Sequence, residues 1–156
     1  MKSTYQKIFI ILFLTIFGSL VWASPSLKSL LDESGLPYIK RDTGWYYVPL
    51  SIEGETISFY FQETVLSDNA EADTKIVYFY SIIDRRSEQA PPALYKKIGE
   101  LNEKLKVGKI GISEDGMSIY YISSFWLEEA NPKTLGKELA VAFKTTLDLK
   151  DILNKY

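Results

Sequence analysis

Histidine and cysteine are both absent from this chain of 156 residues. Without them the sequence has no imidazole base, no thiol nucleophile and no disulfide, so Ser-His-Asp and Cys-His catalysis are excluded. Zinc loses its two preferred side-chain ligands for the same reason. Phosphate-binding glycine loops are missing too, because Gly108, Gly111 and Gly116 surround a predicted hairpin and lack the strand-to-helix setting of such loops. The sequence therefore predicts no catalytic residue, no metal ion and no cofactor.

Carboxylates are the remaining side chains with acid-base chemistry. Three close pairs stand at predicted turns or helix approaches, where acidic residues commonly serve solubility and capping. A further acidic group in a polar loop lacks the glycine and the final glutamate of a calcium-binding loop. A hydrolase with paired carboxylates therefore ranks last among the functional hypotheses. The residues in question are Glu53 with Glu55, Glu114 with Asp115, Glu128 with Glu129, and the group Asp68, Glu71 and Asp73.

Basic residues are too few and too scattered for a nucleic-acid-binding protein. The chain has 18 Lys and Arg against 20 Asp and Glu. Its tight basic pairs, Lys40-Arg41, Arg85-Arg86 and Lys96-Lys97, each have acidic neighbours. Because a protein that neutralises a phosphate backbone needs clustered cations, we exclude nucleic acid as a partner. We expect all three pairs to be solvated surface.

Residues 1–23 have the composition of a secretory signal peptide. Lys2 and Lys7 precede an apolar run from Ile8 to Leu20, and the small residue Ala23 suits cleavage by a signal peptidase. The run is short for a membrane span, which needs about 20 apolar residues. An uncleaved membrane anchor is the alternative interpretation. We expect an exported bacterial protein, periplasmic or secreted, that meets the membrane only through this segment before cleavage.

Residues 24–156 are predicted to form a single α+β domain. Helical spacing of apolar residues marks a short helix after Ser26, a second from Ala93 to Lys106, and a long third helix that opens at Asn131-Pro132. Five strands alternate with them, and Glu53-Gly54 and Asp115-Gly116 are typical of hairpin turns. The predicted order of elements is α-β-β-β-α-β-β-α.

Aromatic residues make up 14% of the sequence and concentrate in or beside the predicted strands. One interpretation is that they rim the core and keep their hydroxyl groups in water. The other is an exposed aromatic surface for a partner, since aromatic side chains dominate interface anchors. Alternation along a strand turns some of them away from the core. We take Tyr46, Tyr60, Tyr120 and Trp126 as candidate partner-contact residues.

The second half of the chain has a distinctive series of motifs. Leu101-Asn102 lies on the second helix, Gly108-Lys109-Ile110 opens a short strand, Asp115-Gly116 forms a turn, and a helix from Pro132 to about Lys144 follows. This series resembles the YbjN-like family, and the likeness in element order extends over most of residues 26–154. The resemblance implies a fold similar to type III secretion chaperones, with an antiparallel sheet of about five strands flanked by three helices.

The same resemblance implies partner binding in place of catalysis, and pairing into dimers. Members of the family are usually cytoplasmic, whereas this chain begins with an export signal, so a cytoplasmic secretion-chaperone role does not carry over. The leading hypothesis is a non-enzymatic, chaperone-like module that holds a protein partner on its sheet face or on an edge strand. The alternative is a carrier of a small ligand or lipid, with an apolar pocket between sheet and helix. Formation of a homodimer stays open.

Overall fold

Residues 25–66 and 74–156 are described by the computed structural model. The predicted signal peptide and the acidic group from Asp68 to Asp73 lie outside these residues and stay predictions. The elements are α1 (Leu27–Ser34), β1 (Ile39–Lys40), β2 (Tyr46–Ile52), β3 (Glu55–Leu66), β4 (Thr74–Arg85), α2 (Pro92–Lys104), β5 (Lys109–Ile112), β6 (Ser118–Trp126) and α3 (Pro132–Leu153).

The strands form one antiparallel sheet in the order β1-β2-β3-β4-β6-β5. This arrangement confirms the predicted α+β class, and five strands and three helices follow the predicted order. The sixth strand, β1, is an addition to the prediction. It has two exposed residues, Ile39 and Lys40, so no apolar alternation marks it in the sequence.

Burial divides the sheet into two unlike faces. On β4, Val77 and Phe79 are buried, whereas the intervening Tyr78 and Tyr80 are exposed and half-buried. The buried side chains join those of all three helices in one core, which includes Leu30, Leu94 and Leu139. We call this side the helix face and the opposite side the open face. In the described part of the chain the open face has no helix packed on it.

Local signals in the sequence position two of the helices. The side chains of Ser26 and Asn131 accept hydrogen bonds from backbone N–H groups in the first turns of α1 and α3. Inside the core, the hydroxyl groups of Ser81 on β4 and Thr146 on α3 share a buried hydrogen bond of 2.7 Å, which ties the long helix to the sheet. No helix within residues 25–66 and 74–156 is long and apolar enough to cross a bilayer.

Candidate functional site

The open face carries a row of aromatic side chains that crosses several strands. Tyr47, Tyr60 and Tyr80 occupy paired positions on β2, β3 and β4. The rings of Trp45 and Tyr120 meet the ring of Tyr80 edge-on, with centroids at 5.2 Å and 6.1 Å. We call these five residues the aromatic row. Each of them is half-buried, because the rings pack against one another rather than against a helix.

Ring orientation decides what the aromatic row can contact. Tyr60 and Tyr80 stack at 4.9 Å with an interplanar angle of 11°, and Tyr47 meets Tyr60 edge-on at 5.5 Å. Rings stacked on their neighbours have flat faces already covered, so their edges and hydroxyl groups remain for a partner. Burial raises the pKa of Tyr80, Tyr60 adds to the rise, and Arg85 opposes it. Tyr80 therefore keeps its hydroxyl proton at neutral pH. The hydroxyl groups of Tyr47 and Tyr120 are already hydrogen-bonded, to Ser58 Oγ at 2.9 Å and to the Ile112 carbonyl at 3.3 Å.

A β-bulge on β4 places a cation beside the row. The register of β4 against β6 shifts between Ile82 and Asp84, which leaves Ile83 as an extra residue buried on the helix face. Asp84 then lies opposite Ile119, a residue that is also buried on the helix face. The next residue, Arg85, therefore turns to the open face. Arg85 is exposed, as predicted for this basic pair. The prediction is wrong for Arg86, whose side chain is 23% exposed and whose Nη1 is buried.

Arg85 lies where two surface depressions meet. The first measures about 430 Å³ and is lined by Arg85, Ile82, Ile122 and the two tyrosines at the end of the aromatic row. The second measures about 250 Å³, opens between the ends of β3 and β4, and includes Lys150 of α3 and Glu55. Among the described residues Arg85 makes no ion pair. Its charge is therefore available to a partner.

Both edges of the sheet carry features that hinder the addition of a strand. At one edge β1 has only two residues, and Pro49 in the adjacent β2 has no N–H group to donate. At the other edge the Asn102 side chain lies along β5. Its Nδ2 donates to the Ile110 carbonyl at 2.9 Å, and its Oδ1 accepts from the Ile110 N–H at 2.7 Å. A side chain thus occupies the position that an added strand would need.

The motifs behind the YbjN-like resemblance are physically connected. Besides the two bonds between Asn102 and Ile110, the Lys109 ammonium donates to the Asn102 carbonyl at 2.9 Å. Gly108 has a φ of 68°, and a Cβ at that position would lie 2.4 Å from the Tyr121 ring, so only glycine fits there. These residues together fix the connection from α2 to the sheet edge.

The predicted contact residues fall in three different places. Tyr60 and Tyr120 both belong to the aromatic row, with Tyr80 between them. Trp126 is 44% exposed and lies on the same face, but six positions along β6 from Tyr120, which is about 20 Å. Tyr46 is 7% exposed and points to the helix face, where it packs edge-on against Tyr38. Tyr46 therefore has no part in the open face.

Four residues of this surface were not among the predicted contacts: Trp45, Tyr47, Tyr80 and Arg85. On the open face of β2 the structure has Tyr47 where we predicted Tyr46. The sequence contained a signal for this arrangement, because Tyr46 and Val48 are alternate apolar positions of the strand. Tyr80 lies on a strand that is apolar on both faces, so the sequence does not say which face is covered. Arg85 lies on the open face only because of the β4 bulge, and we find no sequence signal for that bulge.

One residue of each predicted acidic pair has a structural role. Glu53 forms the β2-β3 turn with a φ of 53°. Asp115 accepts hydrogen bonds from the Ser113 hydroxyl and the Met117 N–H, and these bonds hold the pKa of Asp115 below its usual value. Glu128 accepts from the Lys75 N–H at 2.7 Å. Within the described residues no three acidic side chains lie close enough together to hold a metal ion.

The layer between the sheet and α3 is filled by apolar side chains. Phe59, Phe79 and Leu139 are each at most 2% exposed there. A depression at the start of α3, lined in part by Phe125 and Leu135, measures about 240 Å³. That volume is below the range of roughly 300–1,000 Å³ that ligand pockets occupy. Two larger depressions, of about 430 Å³ and 460 Å³, are lined by open-face residues such as Tyr80 and Tyr78 and do not lie between the sheet and α3. The carrier hypothesis, which places the ligand between sheet and helix, stays a prediction.

The fold and the surface together define an α+β protein. Its helices pack on one face of the sheet, and the other face carries the aromatic row with Arg85 beside it. No protein-family model matches the chain, and no curated protein matches it significantly. The resemblance to the YbjN-like family therefore stays a prediction.

Proposed function

We propose that this protein is an exported, non-enzymatic binding module of the bacterial envelope, which holds a protein partner on the open face of its sheet. The observation that carries the proposal is the one-sided helix cover. A sheet with both faces apolar normally has both faces covered, whereas here the aromatic row on β2, β3, β4 and β6 has no covering element among the described residues.

The composition of the surface favours a protein partner. Tyrosine, tryptophan and arginine are the residues that contribute most to protein interfaces, and all three types occur here in Tyr60, Trp45 and Arg85. A ligand that stacks flat on rings, such as a sugar, needs free ring faces. The stacking of Tyr60 on Tyr80 leaves ring edges and hydroxyl groups instead, and these suit hydrogen bonds to a polypeptide.

Sheet-face docking is preferred to strand addition because of the two edges. Asn102 already satisfies both backbone groups of Ile110 on β5, and Pro49 and the two-residue β1 limit pairing at the other edge. Export is part of the proposal through residues 1–23, whose lysines, apolar run and Ala23 fit a signal peptide.

Photo-crosslinking in bacteria that express the full chain tests this function. A photoreactive phenylalanine analogue replaces Tyr78, which is 36% exposed on the open face beside the aromatic row, and in a second strain replaces Tyr95, which is 43% exposed on α2. We expect a defined adduct with another protein from position 78 and none from position 95. Adding Tyr120→Ala to the position-78 variant should weaken the adduct, because it removes one ring of the row.

Three results would contradict the proposal. Equal adducts from positions 78 and 95 would show that the open face is not preferred. An adduct made only of two copies of this chain would make the face a homodimer interface. Turnover of a substrate by the purified protein, abolished by changing one carboxylate such as Glu114 or Glu128, would replace binding with catalysis.

A further inference from the structure

The bulge on β4 reverses the sign of the charge that this strand presents to the open face. In an unbroken strand, successive side chains alternate between the two faces. Because Ile82 lies on the open face, Asp84 would also lie there and Arg85 would lie on the helix face. With Ile83 as an extra residue, Asp84 lies opposite the buried Ile119 and Arg85 takes the open side. Asp84 is then 3.8 Å from the Nε of Arg86, away from this surface.

On the described strands, the rest of the open face is free of carboxylates. Alternation assigns no Asp or Glu to the open side of β2, β3, β4, β5 or β6 in the described residues, although the chain as a whole has more acidic than basic residues. The cations on that side of the described residues are Arg85, Lys109 and Arg41. The Lys109 ammonium is bonded to the Asn102 carbonyl, and the Arg41 guanidinium lies 5.6 Å from the centre of the Tyr47 ring, at the other end of the aromatic row from Arg85. Glu55 is the nearest exception, since it lines the second depression from the end of β3 without an ion pair to Arg85.

We infer that the Arg85 depression is a specific anchor for a carboxylate carried by an acidic, otherwise apolar segment of the partner polypeptide. This inference rests on the proposed function and names the chemistry of its partner. Arg85 supplies a planar, bidentate donor for the carboxylate. Ile82, Ile122 and the Tyr120 ring supply the apolar lining for the side chains on either side of it.

The charges of the molecule favour one carboxylate over a polyanion. A nucleic acid or an anionic membrane needs several cations in one patch. Here one arginine stands in a lining of rings, aliphatic side chains and the Ser118 hydroxyl, and Lys150 belongs to the neighbouring depression. The excess of acidic residues elsewhere repels extended polyanions. A single carboxylate in an apolar segment matches this pattern of charge.

Two peptide pools test the anchor directly. In one pool of short labelled peptides, Glu alternates with mixed apolar residues, and in the other Gln replaces each Glu. Fluorescence polarisation with protein purified from cells that express the full chain should show about tenfold or greater preference for the Glu pool, the usual scale for hydrogen bonds to a charged group. Arg85→Gln should remove the preference, and Lys96→Gln, an exposed cation on α2, should leave it intact.

The outcomes separate the anchor from the proposed function. Equal binding of both pools, or a preference that survives Arg85→Gln, overturns the anchor. Tighter binding to vesicles of phosphatidylcholine and phosphatidylglycerol than to the Glu pool overturns it in favour of a membrane. In the crosslinking strain, Arg85→Glu combined with the probe at position 78 should abolish the adduct. An adduct that persists unchanged overturns the anchor and keeps the binding function, whereas a missing adduct in the unaltered chain overturns the function itself.

Discussion

Replacing Asn102 with alanine tests whether a side chain closes the β5 edge. The substitution removes two hydrogen bonds, at 2.9 Å and 2.7 Å, to the backbone of Ile110. A hydrogen bond of this kind contributes about 0.5–1.5 kcal/mol net, so we expect a loss of about 1–3 kcal/mol in the free energy of unfolding. With a loss of about 2 kcal/mol and a urea slope of about 2 kcal/mol per molar, the midpoint should fall by about 1 M.

Equilibrium urea unfolding and amide hydrogen exchange provide the two measurements. Glu103→Ala is the matched control, because Glu103 is the next residue on α2 and is exposed. Exchange of the Ile110 amide should accelerate in Asn102→Ala and stay unchanged in the control, since only the first variant frees that N–H group. The freed edge should also promote self-association at high protein concentration, visible by sedimentation velocity. Equal midpoints in the two variants, with Ile110 exchange unaltered, would refute the reasoning.

Three further predictions concern the core and the row. Thr146→Val should cost about 1–3 kcal/mol, because it leaves the Ser81 hydroxyl buried and unpaired, and adding Ser81→Ala should recover part of the loss in urea unfolding. Gly108→Ala should destabilise by about 2 kcal/mol or more, since its Cβ would meet the Tyr121 ring at 2.4 Å; an unshifted midpoint would contradict this. The pKa of Tyr80 is raised in the folded protein. Its contribution to stability is therefore complete below the unfolded pKa near 10.0 and is lost as pH rises through the folded pKa. Tyr80→Phe should make the urea midpoint fall less steeply at alkaline pH.

The sequence by itself determined the class of fold and the order of its elements. Hydrophobic periodicity located the three helices and five of the strands, and Asn131-Pro132 and Asp115-Gly116 marked a helix start and a turn that the structure confirms. These features depend on interactions between residues near in sequence, which is why a local pattern suffices. The absence of histidine and cysteine likewise excludes imidazole and thiol catalysis on the sequence alone.

The tertiary structure alone decided which face of the sheet stays open and what it carries. Tyr80 lies on a strand that is apolar on both faces, and only the packing of the helices against Val77 and Phe79 leaves Tyr80 on the open face. Arg85 reached the aromatic row through a one-residue register shift against β6. Register arises from contacts between strands distant in sequence, and a slip of one residue exchanges the two faces, so the local pattern left the composition of the open face undecided.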